Sequence, residues 1–329
     1  NELGFYDMCG NVGEWVWDRW GDLPTSPTFN PHGCASYSIY RVNRGGHFGS
    51  YGDQCYVNYR WGSGAPNPNN AYGFRLCRTP EHFTLVQGGT FNNGTSPVTV
   101  SSFLMDDYET TQSEYEFYNT YYGYGGVGVE DDHPILNVSW ADAIVYCNLR
   151  SVAEGRTPCY SYGSYGSNPS DWPNSWGTLA YGDLNPVQCD WNATGYRLPT
   201  ETEWEFAARG GNLSQGYTYS GGNSVDAVAW YAGSSGAVGH PVGFKGPNEL
   251  GLYDLSGNTN EWCWDFYGAY PSGPQTNPTG PATGLFNKVY RGGCYSSPAP
   301  DCATSQRLWW SNQVSETDNT MGFRVCRKP

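Results

Sequence analysis

A loop-rich α+β fold is the class this sequence predicts, and composition, residue periodicity and an incomplete internal repeat predict it. Charged residues make up 15% of the chain, while 44 glycines, 27 tyrosines and 14 tryptophans run through it. That balance suits loops packed on aromatic rings and disfavours a helical bundle. Short period-two runs alternate with only a few stretches of helical spacing. The repeat is read directly. Asn1-Glu-Leu-Gly-Phe-Tyr-Asp-Met-Cys-Gly-Asn-Val-Gly-Glu-Trp15 returns as Asn248-Glu-Leu-Gly-Leu-Tyr-Asp-Leu-Ser-Gly-Asn-Thr-Asn-Glu-Trp262, and Gly73-Phe-Arg-Leu-Cys-Arg78 returns as Gly322-Phe-Arg-Val-Cys-Arg327. The organisation implied is one complete unit over 81–329 and, over 1–80, its C-terminal part alone.

Within the complete unit, residues 83–91 are expected to form a strand, a Gly-Gly turn and a return. Residues 97–105, alternating and β-branched, form a second strand, so that a β-hairpin opens the unit. Helical spacing over 113–122 and a Ser139 cap ahead of Trp140 predict two short helices. Residues 156–188, rich in Ser, Gly, Pro and Asn without period, are expected as a long loop pinned by Cys159 and Cys189. Thr200-Glu-Thr-Glu203 is a capping box opening a helix that Gly210-Gly211 stops. Beyond it, short strand-like runs lie between Gly, Pro and Asn clusters.

Lysine and arginine total 17 against 31 acidic residues, a net charge of −14 at pH 7. A nucleic-acid backbone or an anionic membrane would be repelled, and cationic partners are preferred. No apolar run is long enough to predict a membrane span. Eleven cysteines without a CxxC spacing predict an oxidising compartment, extracellular or at the cell surface, rather than a zinc site. The chain opens on Asn without a leader pattern, so it reads as a mature or excised piece of a longer precursor.

Five segments carry a resemblance. They are Phe103-Leu-Met-Asp-Asp-Tyr-Glu-Thr-Thr-Gln112, His133-Pro-Ile-Leu-Asn-Val-Ser-Trp140, the run from Gly195-Tyr-Arg-Leu-Pro through Trp204-Glu-Phe-Ala-Ala-Arg-Gly-Gly211, Gly251-Leu-Tyr-Asp-Leu-Ser-Gly-Asn-Thr-Asn-Glu-Trp262, and Tyr290-Arg-Gly-Gly293 with Gly322-Phe-Arg-Val-Cys326. In this order they resemble the formylglycine-generating enzyme family, the sulfatase-modifying-factor domain. The resemblance implies a C-type-lectin-like fold with few short antiparallel strands, two main helices and long loops.

Enzymes of that family oxidise a substrate cysteine to formylglycine, and the resemblance implies copper(I) held by two cysteines shortly after Arg-Gly-Gly. Aligned on Arg291-Gly-Gly293, the second falls on Cys302 and the first on Ser297; the partial copy has Ser50 and Cys55. A serine hydroxyl cannot replace a soft thiolate ligand, so copper and catalysis are not expected. Cys294, three residues out of register, is the displaced alternative. The resemblance also implies a structural calcium site from the Asp254 and Glu261 side chains and the carbonyls of Gly257 and Thr259, repeated as Asp7, Gly10, Val12 and Glu14. Hard oxygen donors of this kind suit calcium. For disulfides it suggests Cys147 with Cys326; Cys159 with Cys189 is a second expected pair.

The function expected is that of a non-enzymatic extracellular structural or interaction protein, stiffened by calcium and disulfides. Residues 1–80 would complement the chain itself or homologous subunits by strand addition, in a filament or surface layer. The alternatives are a hypervariable C-type-lectin-like binder of glycans or protein ligands, because 47–60 and 294–307 differ sharply between the copies, and a displaced-site oxidase. The Trp-Glu and Trp-Asp dipeptides at Glu14-Trp15, Trp17-Asp18, Glu261-Trp262 and Trp264-Asp265 are expected as aromatic core rather than sugar platforms.

Overall fold

A computed structural model of the chain describes residues 6–20, 40–64, 71–74, 82–119, 132–173, 187–281, 287–309 and 318–329. The chain divides into two units, Asn1–Pro80 and Glu81–Pro329. In the first, β1 (Gly13–Arg19) pairs antiparallel with β2 (Tyr40–Arg44), β2 with β3 (Trp61–Gly64), and β1 parallel with β4 (Tyr72–Phe74), in the order β3-β2-β1-β4.

The second unit opens with β5 (Phe83–Val86), β6 (Gly89–Asn92), β7 (Pro97–Val100) and β8 (Phe103–Asp106). The expected hairpin is only partly there. β6 and β7 pair with each other, but β5 pairs with β8 in a different sheet, so Gly88-Gly89 is a crossing between sheets and not a turn. A Cβ on Gly88 would stand 2.7 Å from both Ser102 N and Val100 O, which explains the glycine at that crossing. The run 97–105 breaks at Ser101-Ser102 for the same reason: its two halves serve two sheets.

Capping boxes start three of the helices. Thr111 with Glu114 opens α1 (Gln112–Tyr118), Ser139 with Asp142 opens α2 (Trp140–Ala153), and Thr200 with Glu203 opens α3 (Glu201–Ala208). Gly210, at φ 87°, follows α3 as expected. The stretch expected as one long loop instead contains β9 (Tyr160–Tyr162) paired antiparallel with β10 (Val187–Cys189), and Cys189 lies opposite Tyr160. β11 (Tyr196–Arg197) then joins β8 and β5 through the last strand of the chain.

The closing third holds β12 (Asn260–Phe266), β13 (Gln275–Thr276), β14 (Lys288–Arg291), β15 (Leu308–Trp309), β16 (Met321–Gly322) and β17 (Cys326–Arg327). Its sheet runs β15-β14-β12-β16 and repeats the first unit's sheet strand for strand. Glu14↔Arg44, Trp15↔Asn43 and Arg19↔Arg41 reappear as Glu261↔Arg291, Trp262↔Tyr290 and Phe266↔Lys288, with the same register shift in each. The parallel pair Glu14↔Gly73 reappears as Glu261↔Gly322. Even the left-handed residues agree: Asp7, Gly10 and Asn11 at φ 55°, 81° and 63° match Asp254, Gly257 and Asn258 at 58°, 83° and 60°.

Burial separates the two sheets. Phe323 is fully buried against the rings of Tyr146 and Tyr115, at 5.2 and 6.2 Å, whereas its counterpart Phe74 is 71% exposed. Leu255 is fully buried and its counterpart Met8 is 43% exposed. Tyr115, Tyr146 and Trp204, which pack over the second sheet, sit on α1, α2 and α3 and have no counterpart in residues 1–80. In urea unfolding, Phe323→Ala should therefore lower stability by about 3–5 kcal/mol, and Phe74→Ala by less than about 0.5 kcal/mol. Equal losses would contradict this assignment of the two faces.

Candidate functional site

The turn expected to bind calcium lies where the sheets of the second unit meet. Asp254 Oδ2 accepts the Gly243 N–H at 2.6 Å, and its buried Oδ1 has no hydrogen-bond partner among the described residues. Gly257 N–H donates to Gly292 O, and Asn258 N–H to Trp230 O. Glu261 is fully buried. Arg324 donates Nε to its Oε2 and Nη2 to its Oε1, each at 2.7 Å, and the Trp204 indole N–H also donates to Oε2. The remaining Arg324 protons go to the backbone carbonyls of Asp106, Asp107 and Tyr253.

A third acid that the sequence motif did not single out, Glu109, accepts the Thr259 N–H on Oε1 and the Asn258 amide on Oε2. Three carboxylates thus surround one guanidinium. Burial, with Asp254 and Glu261 nearby, pushes Glu109 well above the usual carboxylate range, and burial lifts Asp254 to about 6. The expected calcium donors fit in part. Asp254 offers an unpartnered buried oxygen, but both Glu261 oxygens are taken by Arg324, so Glu261 is an anchor for that arginine and not an open ligand. In the first unit Asp7 is exposed, while Gly10, Val12 and Glu14 are half-buried.

The copper positions lie just beyond β14. Ser297 Oγ accepts the Cys294 N–H at 3.0 Å and stands 3.2 Å from Cys294 Sγ. The first unit builds the same turn, with Ser50 Oγ accepting the His47 N–H at 3.0 Å. Cys302 is fully buried, and burial, with Cys294 adding, pushes its thiol up to about 12. A thiol held protonated in this way is a poor metal ligand and nucleophile.

The expected disulfides are not formed. Cys147, Cys326, Cys159 and Cys189 are all free thiols. Arg197, bidentate to Glu203, also donates Nη1 to Cys326 Sγ at 3.0 Å. Burial raises all four thiols, Cys159 to about 11. Cys77 and Cys34 lie outside the described residues. In the second unit the tryptophans after the turn are core, as expected: the Trp262 indole donates to Val138 O, and Trp264 stacks on Tyr160 at 5.3 Å, whereas Trp15 of the first unit is half-buried and the Trp17 side chain lies outside the described residues.

A second buried ion cluster fixes α3 to β14. Arg291, fully buried, bonds Glu201 and Glu205, and Arg307 chelates Glu201 through Nε and Nη2. Beside it Asp265 Oδ2 accepts the Glu201 N–H at 2.8 Å. Burial, with the Glu201 charge adding, pushes Asp265 up to about 8, and burial drives Lys288 down to about 7.

The family model described as the sulfatase-modifying factor enzyme 1-like domain matches residues 1–80 and again 77–329. The chaperone protein LppX of Paenibacillus barcinonensis is 36% identical over 233 residues, 62% of this chain and 80% of that protein. The formylglycine-generating enzyme of Streptomyces coelicolor is 34% identical over 165 residues, 43% of this chain and 51% of the enzyme, so the chain spans about half of that relative. Among solved structures, the Treponema denticola variable protein 1 superposes with a TM-score of 0.63 at 30% identity, covering 75% of this chain and 95% of that one.

The sign of one pH effect follows from Asp265. Between roughly pH 4 and 8 the folded chain keeps a proton that the unfolded carboxyl, near pH 4, has released. This group's contribution therefore falls as pH rises. In urea titrations between pH 5 and 7, Asp265→Asn should flatten the decline seen in the wild type; unchanged slopes would contradict the assignment.

Proposed function

The chain belongs to the family of the sulfatase-modifying factor enzyme 1-like domain, and we propose that it works as a non-catalytic structural and interaction module whose first unit is the contact surface. One observation carries this reading: Phe323 and Leu255, each buried in one of the second unit's two core clusters, have exposed counterparts in Phe74 and Met8 beside an otherwise matching sheet. Among the described residues there are two such sheets and one set of covering helices, so a swap between identical copies still leaves one sheet bare per chain. The partner proposed is a homologous subunit that presents what α1, α2 and α3 present. In the second unit the Thr110 N–H donates to Phe323 O at 2.9 Å, beside the outer strand β16, and the same bond to Phe74 O would extend the first sheet by strand complementation.

Catalysis is set aside because Ser297 replaces one thiolate and the Cys302 thiol is buried and held protonated. A ligand-binding reading has its own support. Residues 47–61 of the first unit expose Phe48, Tyr51, Tyr56, Val57 and Trp61, the kind of rigid aromatic surface that adaptable binders use. The compartment proposed is extracellular, on the number of cysteines alone, since the nine described ones are free thiols. Among the described residues no helix is long and apolar enough to cross a membrane.

Calcium is proposed as a structural ion at Asp254, on the strength of its unpartnered Oδ1. Added calcium should then raise the unfolding temperature of the wild type and leave Asp254→Asn unmoved, and a wild type indifferent to calcium and chelator would remove the ion from the account. For the interaction reading, the isolated chain should bind a hydrophobic dye, and light scattering should show particles heavier than the monomer once a homologous subunit is added. Both should fall in a Met8→Ser/Phe74→Ser variant whose second unit unfolds as in wild type. A monomer that binds no dye would contradict the proposal.

A further inference from the structure

A cavity of about 330 Å³ opens between the start of α3, the end of β12 and residues 268–281. Val98, Phe266, Tyr270 and the rings of Pro278 and Pro281 give it apolar walls. Two acids line it. Glu201 is matched by Arg291 and Arg307, but Asp265, 3% exposed, forms no ion pair among the described residues. Its Oδ2 accepts the Glu201 N–H, while Oδ1 has no hydrogen-bond partner among the described residues.

The neighbouring cations are turned elsewhere. Arg307 gives Nε and Nη2 to Glu201 and Nη1 to Gly268 O. Lys288 donates Nζ to Trp264 O at 2.7 Å and otherwise faces the rings of Phe266 and Trp140, at 3.6 and 3.9 Å. A buried carboxyl in an apolar cavity with no cation in contact, Lys288 acting on it only from a distance, is stabilised by a ligand that brings one. The chain's net charge of −14 concentrates cations around it.

We infer that this cavity binds a primary alkylammonium group, with Asp265 Oδ1 accepting from the ammonium, Thr202 Oγ1 beside it, and the proline and aromatic walls enclosing the methylenes. A lysine side chain of a partner protein and a free alkylamine share that chemistry. Burial and the charges of Glu201 and Glu203 push Asp265 up to about 8, while Lys288 opposes them, so at neutral pH the incoming ammonium displaces a proton from Asp265.

Calorimetric titration of the full 329-residue chain near pH 7 with n-butylammonium chloride, n-butanol and acetyl-Gly-Lys-Gly-amide tests this. The expected result is saturable one-to-one binding of an ammonium probe, with proton release seen as a dependence of the heat on buffer ionisation enthalpy. Binding should be at least about tenfold weaker in Asp265→Asn, as expected for loss of a charge-assisted contact. Ala269→Trp, which narrows the exposed wall without touching Asp265, should weaken binding equally and guards against misfolding of the first variant. Tighter binding of the lysine peptide than of butylammonium identifies a protein side chain as the occupant; the reverse identifies a free amine. Equal binding of n-butanol, undiminished binding by Asp265→Asn, or no saturable binding of either ammonium probe would overturn the inference.

Discussion

The pairing of Glu261 with Arg324 is the interaction on which the second unit's architecture depends. Both side chains are fully buried. Glu261 belongs to β12, Arg324 to the link between β16 and β17, and the guanidinium also reaches the carbonyls of Asp106 and Asp107 at the end of β8. Trp204 of α3 donates to the same carboxylate. One ion pair therefore ties two sheets and a helix together. Removing either partner strands a buried charge, a loss of about 3–5 kcal/mol. Phe323, next to Arg324, uses that anchorage to pack edge-on against the stacked rings of Tyr115 and Tyr146.

The first unit has the same strands without these partners. Its sheet keeps the register, the bulge and the left-handed turn of the second, which shows that the local sequence suffices to shape the strands. What it lacks is the cover. Glu109, Trp204, Glu201 and Glu205, which hold the second sheet, all come from the part of the unit absent over residues 1–80. Arg44, the counterpart of Arg291, is left donating to Val57 O at an exposed position. An apolar sheet face of this kind marks an interaction surface more readily than a catalytic one, and the positions after Arg-Gly-Gly point the same way through Ser297 and the buried Cys302 thiol.

Much of this was legible in the residues. The α+β class, the repeat and the helices opened by Ser139 and Thr200 follow from local rules of capping and periodicity, and the structure has them. The Gly88-Gly89 crossing was not legible, because a turn and a sheet-to-sheet passage use the same residues and differ only in distant pairing. The β9–β10 ladder was hidden by a stretch without period. Of the charge cluster, Asp254 and Glu261 were visible in a motif. Glu109 was not, since a lone acid after a strand carries no signature, and neither was the commitment of Glu261 to an arginine sixty-three residues away. The cavity beside Asp265 is walled by a Gly- and Pro-rich loop whose path no short pattern encodes.

Hydroxyl-radical footprinting of the dilute full-length chain tests the central claim most directly, because it reads side-chain access in both units at once. The account predicts rapid modification of Phe74 and Met8, strong protection of Phe323 and Leu255, and growing protection of the first pair alone when a homologous subunit is added. Equal protection of Phe74 and Phe323 in the isolated chain would mean that the first face is already covered, and would contradict the account.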